Sequence, residues 1–455
     1  MKVDLDLIRK YNVPGPRYTS YPPATHFTDE VDRDGLMANL KENNEGCRDL
    51  SLYFHLPFCE TLCWFCGCTT VITQDHSRST PYLDLIEREM DLMREHLNPQ
   101  RKVVQWHLGG GTPTFLQPDE LRRLGGMVRK RFNFSEDLEA GVEIDPRRIS
   151  RDTIVALQES GFNRASMGVQ DHHPEVQKAI HRIQPYAMTA QAIDWLRECG
   201  FESLNVDLIY GLPHQTVQSF EQTLEDTLKL QPDRFAVFSY AHVPWIKPAQ
   251  KIFQERANLP SPETKLELLK LTIEKLTAEG YRYIGMDHFA REDDELSIAQ
   301  KQKTLQRNFQ GYSTRGGVDI YSFGMSSISQ SEKAYWQNLK ELPAYTQSVE
   351  EGQLPIHRGY LMSEEDLLRR QTIMRLMCDL ELDFDHMSQL LGVPFEAHYQ
   401  RELASLEDLR EDGLIAFSQG GLKVTDLGRL LIRNIAMRFD GYQAQRTEGR
   451  FSKTI

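Results

Sequence analysis

No stretch of this chain approaches the roughly 18 consecutive apolar residues that a membrane span requires. The opening, MKVDLDLIRKYNVPGPRYTSYP, has no apolar core of signal-peptide length. A cytoplasmic protein without membrane contact is expected. Cations are the minority charge: 53 Lys and Arg against 66 Asp and Glu leave a formal charge of −13, which argues against a general affinity for nucleic acid or anionic lipid. Any anionic ligand must then meet a local basic pocket. Cysteine is also scarce, at 7 in 455 residues, odd in number and unevenly spread. That excludes a disulfide framework and suits a reducing compartment. No internal repeat of fixed period and no low-complexity tract is seen. What the chain does have is apolar material, 40% of its residues, enough for one large domain and a smaller one.

From Ser51 to about Phe323, β-rich runs alternate with helical stretches. The strand candidates are SLYFHL, KVVQWHL, GVEID, RASMGV, SLNVDLIYG, RFAVFSYAH and RYIGMDHF. Such alternation is the βαβ pattern and predicts a parallel sheet. In STPYLDLIEREMDLMREHL, Ser79 or Thr80 can cap and Pro81 fits the first turn. Leu83, Ile86, Met90, Met93 and Leu97 then recur at helical spacing. The fold class is α/β: a partial parallel (β/α)6-type barrel over 46–330 with an N-terminal arm, 1–45. A connector of loop character, 331–362, leads to a small, mostly α, winged-helix-like domain, 363–455. Four prolines in VPGPRYTSYPP disfavour regular structure, so the arm is expected to lie extended over the barrel.

Four of the seven cysteines, Cys59, Cys63, Cys66 and Cys68, fall within FHLPFCETLCWFCGCTT. Buried thiols do cluster by drift, and structural zinc takes two separated pairs, of which the second is not seen here. An iron–sulfur cluster suits clustered thiolates on one flexible loop better. The loop follows the first predicted strand, at the end where parallel α/β barrels place their chemistry. Cys59-x3-Cys63-x2-Cys66 offers three ligands, one fewer than a [4Fe–4S] cube has irons, leaving one iron open to an exogenous molecule. Spacing alone leaves Cys68 open as a fourth ligand.

After the second strand, LGGGTPT holds Gly109, Gly110 and Gly111. Glycines there serve a tight turn or a close backbone approach, and the pattern is no phosphate loop. Glu143 and Asp145 end the third strand; such carboxylates are solvated charges, helix caps or ribose acceptors. MGVQD, HRIQ, NVDLIYGLP and SYAHVP put Gln170, Arg182, Asp207 and Ala241 on or after successive elements, outlining one shared mouth.

Cys-x3-Cys-x2-Cys after a first strand resembles the radical S-adenosylmethionine superfamily. By that resemblance Cys59, Cys63 and Cys66 hold a [4Fe–4S] cluster whose free iron binds S-adenosylmethionine, and the fold is that superfamily's barrel. PGPRYTSYP, YFHLPFC...C.FC.C, LGGGTPT, SMGVQD, VDLIYGLP and NFQGYST together resemble the oxygen-independent coproporphyrinogen III oxidase family, from Tyr11 to the last helix. Haem-trafficking relatives share the barrel but typically lack both the arm and a cysteine at the position of Cys68.

The family resemblance implies two S-adenosylmethionine molecules. Tyr53, Phe65, Gly109, Glu143 and Ile328 would hold the first. Gly110, Gly111, Gln170, Arg182, Asp207 and Ala241 would hold the second, with Phe309 and Gln310 close by. It implies a porphyrin-biosynthetic oxidoreductase that turns two propionates of coproporphyrinogen III into vinyl groups through a 5′-deoxyadenosyl radical, giving protoporphyrinogen IX. An external one-electron donor such as a reduced flavodoxin-type protein would serve a monomeric enzyme. Because the substrate carries four carboxylates, Arg17 and His55 are candidates for holding it. The competing readings are a haem chaperone or an enzyme of another tetrapyrrole on the same barrel, and a redox-sensing nucleic-acid binder. The last needs a basic face, whereas RELASLEDLREDG puts acids in the helix that would read the nucleic acid.

Overall fold

The computed structural model describes residues 3–256 and 259–443. They fall into two compact units, one drawn from Phe27–Lys265 and Gly317–Leu361, the other from Met1–His26, Leu266–Gly316 and Met362–Ile455.

In the larger unit β1 (Leu50–Leu56), β2 (Lys102–Gly110), β3 (Asn133–Ile144), β4 (Arg164–Gln170), β5 (Ser203–Tyr210) and β6 (Arg234–Ser239) lie side by side in chain order. Each is parallel to the next. On the other side of β1, β7 (Asp319–Phe323) is also parallel. Then β8 (Ile328–Gln330), β9 (Ala334–Asn338) and β10 (Ile356–Leu361) continue the sheet antiparallel. Parallel strands are covered on both faces, and their sequences accordingly read as near-continuous apolar runs: Phe54, Trp106, Leu108, Val142 and Val206 are fully buried.

The covering helices follow from their sequences. Ser79–Arg94 buries Leu83, Ile86, Met90 and Met93, the stripe its spacing predicts. Ser150 with Thr153 and Thr216 with Ser219 cap the helices Arg151–Glu159 and Val217–Lys229. Pro118 opens Pro118–Arg129. All these crossovers leave the C-terminal ends of β1 to β6 on one side of the sheet, where α/β folds bind ligands. This parallel-strand α/β core with its mostly helical C-terminal segment is the fold class expected.

The other unit has its own core, including Tyr18, Tyr21, Ile373, Met377, Leu409, Ile435 and Phe439. Its C-terminal part places helices Glu364–Asp379 and Phe384–Leu391 with a three-stranded sheet of Glu381–Asp383, Gly421–Val424 and Ile415–Ser418, the winged-helix-like pattern. The expected domain runs on to 455, and from 444 it lies outside the described residues.

Three local expectations need correction. RYIGMDHF is not one more parallel strand: Tyr281–Gly285 and His288–Arg291 pair antiparallel about Met286, whose φ is +58°. The connector is not loop-like, since it holds β9, β10 and the helix Leu342–Glu350. Its aromatic run buries Tyr335 and Trp336, and aromatic residues favour a half-buried pleat. The arm is helical at Leu5–Tyr11 and Arg33–Glu45, capped by Asp4 and Asp32; only the proline-rich stretch between them lacks a helix of more than one turn. Residues 3–26 of that arm belong to the smaller unit and 27–45 to the larger. Among the described residues no helix is long and apolar enough to cross a membrane.

Candidate active site

The cysteine loop leaves β1 at Pro57 and is closed at its base by a short parallel pair, Phe58–Cys59 with Val71–Ile72. Val71 N–H donates to the Pro57 carbonyl (2.8 Å) and Thr73 N–H to that of Cys59 (2.9 Å). Within this frame Cys59, Cys63, Cys66 and Cys68 all line one cavity of about 170 Å³, together with Gly111, Glu143, Asp145, Arg147, Arg182 and Asp207. All four thiols are free.

Their surroundings differ. Cys59 Sγ lies 3.2 Å from Thr112 Oγ1, and burial pushes its thiol up to about 12. Cys63 Sγ faces two guanidiniums, Arg147 Nη2 at 3.4 Å and Arg182 Nη1 at 3.7 Å. Cys66 accepts from Cys68 N–H at 3.4 Å. A side-chain hydrogen bond from Cys68, helped by the charges of Lys247 and Arg182, pulls the Cys66 thiol down, while the Cys68 thiol is pushed up. Positive charge beside a sulfur favours thiolate, the form that binds metal.

The glycines are dictated by close approach. A Cβ at Gly109 would lie 2.9 Å from Glu143 Oε1, one at Gly110 2.7 Å from His55 Nδ1, and one at Gly111 2.4 Å from the Pro57 carbonyl. Gly110 also has φ +113°, which only glycine adopts without strain. Gly111 N–H and Thr112 N–H donate to Leu56 O (2.8 Å) and Phe58 O (2.9 Å), so backbone bonds lash this loop to the cysteine loop. Of the three glycines Gly111 reaches the cavity.

Glu143 Oε2 accepts from Gly110 N–H at 3.1 Å, and His107 Nε2 stands 3.6 Å from Oε1. Burial works to raise its carboxyl, but His107, Gly110 and His55 together hold it below the usual range. Solvent still meets the half-exposed side chain, so an acceptor pair points into open space. Asp145, two residues on and just past the end of β3, is gripped by Arg147 Nη2 (2.6 Å) and by Arg182 Nη1 and Nη2 (3.3 Å each). Burial opposes ionisation there too, yet the two guanidiniums hold it down at about 2. Asp207 takes the opposite course: burial and the charge of Glu143 push it up to about 7, against hydrogen bonds from Asn205 (2.7 Å) and Ser166.

The structure thus gathers Cys59, Cys63, Cys66, Phe65, Gly111, Glu143, Gln170, Arg182 and Asp207 around one cavity. Tyr53, His55, Gly109 and Gly110 stand behind its wall. Tyr53 stacks on His107 (centroids 5.9 Å apart) and its hydroxyl lies 3.3 Å from His55 Nδ1. Buried His55 sets Nε2 2.9 Å from the carbonyl of Thr69, and burial lowers its pKa. Neutral, it latches the end of the cysteine loop and offers no cation. Ile328 begins β8 and Ala241 is exposed beyond β6; neither lines the cavity.

Phe309, Gln310 and Arg17 belong to the other unit. The first two turn between Gln306–Asn308 and Gly311–Ser313, and Gln310 Nε2 is buried without a hydrogen-bond partner among the described residues. Arg17 is paired with Asp287. Sequence reasoning missed Arg147 and Thr112, the partners of two cysteines; the only signal was their place, just after strands that end in a site.

The donor set fits a cluster. Four thiols share one cavity with two guanidiniums directed at one of the sulfurs, and an iron–sulfur cluster takes its thiolates at spread corners. Among the described residues no three Cys, His, Asp or Glu groups are placed to hold a single ion.

Comparison with known proteins agrees. Residues 53–227 match the Radical SAM superfamily and 362–431 the HemN C-terminal domain. The fold and the cysteine cavity are those of a radical SAM protein. An oxygen-independent coproporphyrinogen III oxidase from Pseudomonas aeruginosa is 45% identical over 99% of this chain and 98% of its own. One from Helicobacter pylori is 42% identical over 100% and 99%. A solved structure described as coproporphyrinogen III oxidase (HemN) from Escherichia coli, a radical SAM enzyme, superposes with a TM-score of 0.92 at 42% identity, covering 97% of this chain and 99% of its own. The chain belongs to the oxygen-independent coproporphyrinogen III oxidase family.

Proposed function

We propose that this protein converts coproporphyrinogen III to protoporphyrinogen IX without oxygen, decarboxylating two propionate side chains oxidatively to vinyl groups. The observation that carries this is the cavity at the ends of the parallel strands where all four clustered thiols meet, in a chain that aligns end to end with enzymes of that name. Radical SAM chemistry implies a [4Fe–4S] cluster and S-adenosylmethionine, which when bound supply one-electron cleavage of a sulfonium and a hydrogen-abstracting carbon radical.

The chain's own residues bind and orient. Cys59, Cys63 and Cys66 are the proposed ligands, with Cys68 left to tune Cys66. Thr112 steadies the Cys59 sulfur, and Arg147 with Arg182 holds the Cys63 sulfur in place. Two S-adenosylmethionine molecules are proposed. For the first, Glu143 offers carboxylate oxygens to ribose hydroxyls, with Tyr53, Phe65, Gly109 and Ile328 shaping the site. For the second, Arg182 offers a cation to a carboxylate and Asp207 an acceptor, with Gly110, Gly111, Gln170 and Ala241 completing it. Glu143 and Asp207 differ in proton affinity, so one stays ionised at neutral pH while the other exchanges a proton. The cytoplasmic location, the monomer, the external one-electron donor and the boundaries at 45, 330 and 362 belong to the same proposal.

Anaerobic reconstitution with iron and sulfide, then incubation with reductant, S-adenosylmethionine and coproporphyrinogen III, tests it. Both 5′-deoxyadenosine and a divinyl product are expected. A centre ligated by four protein thiolates, or nucleoside release without decarboxylation, would overturn it.

A further inference from the structure

Beyond the cysteine cavity, the larger unit holds three cations, Lys247, Lys340 and Arg358, whose side chains make no carboxylate hydrogen bond among the described residues. Lys247, in the loop after β6, spends one N–H on the carbonyl of Cys68 (3.0 Å). Lys340 lies two residues past β9 and is exposed. It lines a surface cavity of about 660 Å³ with Thr69, Thr70 and Arg78, and with Glu341 and Glu350. Thr70 also lines the cysteine cavity, so the two spaces adjoin across the end of the cysteine loop. Arg358, across from Gln337 in the β9–β10 register, donates Nε–H to its Oε1 (2.7 Å).

Among the described residues none of the three makes a salt bridge. Lys247 at Cys68 and Lys340 beside Thr69 and Thr70 meet the same end of the cysteine loop, and after burial the charges of Arg358 and Lys247 lower the Lys340 pKa against that of Asp29. Asp29 acts on two of the three without a salt bridge to either, so in a chain of formal charge −13 these cations keep hydrogen-bonding capacity for an anion.

An apolar element adjoins them. Trp245 and Ile246 are 71% and 62% exposed. Their loop is nonetheless fixed: Gln250 accepts from Val243 N–H (2.7 Å) and donates to the Phe65 carbonyl (3.2 Å), while Ile246 and Lys247 N–H both reach Val243 O (2.9 Å). A large indole held out in water beside a cation suits a ligand with an apolar body and anionic arms.

Resting on the function proposed above, we infer that Lys247, Lys340 and Arg358 hold propionate carboxylates of the tetrapyrrole while Trp245 and Ile246 pack on its ring system. They form a substrate rim beside the cysteine loop. Arg17, paired with Asp287, and neutral His55 are less suited to that task.

The test compares Lys340→Glu, Lys340→Arg and Trp245→Ala with the wild type. Two readouts are used: steady-state decarboxylation, and direct binding of coproporphyrin III, a stable fluorescent porphyrin with four carboxylates, against mesoporphyrin with two. K340E is expected to raise KM for coproporphyrinogen III about tenfold and to weaken coproporphyrin III binding more than mesoporphyrin binding. K340R should restore both, and added salt should penalise the wild type more than K340E. Unchanged KM and affinity in K340E would overturn the inference. So would loss of cluster absorbance with porphyrin affinity intact, which assigns the lysine to loop packing. A wild type that binds coproporphyrin III through Lys340 yet never decarboxylates leaves the rim standing and removes the proposed function. A wild type that turns over while K340E and W245A match it removes the rim alone.

Discussion

At the N-terminal ends of the parallel strands Arg101 reaches Asp319, with its other N–H groups on the Arg48 carbonyl and Asn44, and both charged side chains are essentially sealed from solvent, at 0% and 1% exposure. At the C-terminal ends Arg147 and Arg182 share Asp145 and also face Cys63. The same chemistry gives opposite outcomes. Arg101, helped by Asn43 and the charge of Arg48, fails to offset burial at Asp319, whose carboxyl is pushed up; Arg147 and Arg182 succeed at Asp145, which is held at about 2. The surplus arginine at the open end has positive charge left for a sulfur, whereas the sealed end has none to spare. A buried ion pair is weak evidence of net stability but costly to break. The two pairs therefore separate what holds the sheet from what acts at its mouth.

That separation can be attacked directly. Cys63→Ser should do most: activity falls by roughly a thousandfold or more and iron absorbance is lost, with the urea midpoint of the metal-free protein barely moved. Retained turnover would place the ligands elsewhere. Arg101→Ala should lower unfolding free energy by about 3–5 kcal/mol, because it strands a buried carboxylate; a loss below about 1 kcal/mol in urea denaturation would erase the distinction between the two ends. Arg182→Ala leaves Asp145 its Arg147, so the change should appear as about a hundredfold lower kcat/KM with a smaller stability loss than Arg101→Ala. The reverse ranking would make Arg182 a structural residue.

The mildest effect concerns Glu89, almost fully buried, which accepts from Tyr345 OH (2.6 Å), Asn338 Nδ2 (2.6 Å) and Gly324 N–H (2.8 Å). Burial raises its carboxyl from 4.5 to about 7 despite those bonds. A raised carboxyl gives its full stabilisation below the unfolded value and loses it as pH climbs through the folded one. Tm should therefore decline from about pH 4.5 to just above 7 in the wild type and decline less in Glu89→Gln. Parallel pH–Tm curves for the two would assign the slope to other groups.

Much of the open end was legible in the sequence, because spacing there is chemistry. Cysteines with three and then two residues between them after an apolar run, and glycines after the next, announce a strand-end site. The sealed end was not legible: Arg101 and Asp319 are 218 positions apart, and nothing local marks them as partners. The same holds for Lys340 and Lys247, which only the fold brings near one another. Helix periodicity placed the one crossover it was applied to, Ser79–Arg94, by its buried stripe, although the helix stops short of Leu97. The connector was misjudged because its prolines and acids read as loop, while pairing with β8 and burial of Tyr335 and Trp336 decide the matter. RYIGMDHF was misjudged because one residue in the left-handed region at Met286 splits what its apolar content unites.

Gly111 brings two loops to within one missing methyl of each other, since any side chain there would collide with the Pro57 carbonyl. The hydrogen atom in that place acts as a gauge block: it sets the height at which the thiols stand above the sheet. Transplanting the cysteine segment alone into a foreign barrel would thus deliver the right sulfurs at the wrong elevation, and the glycine run would have to travel with it.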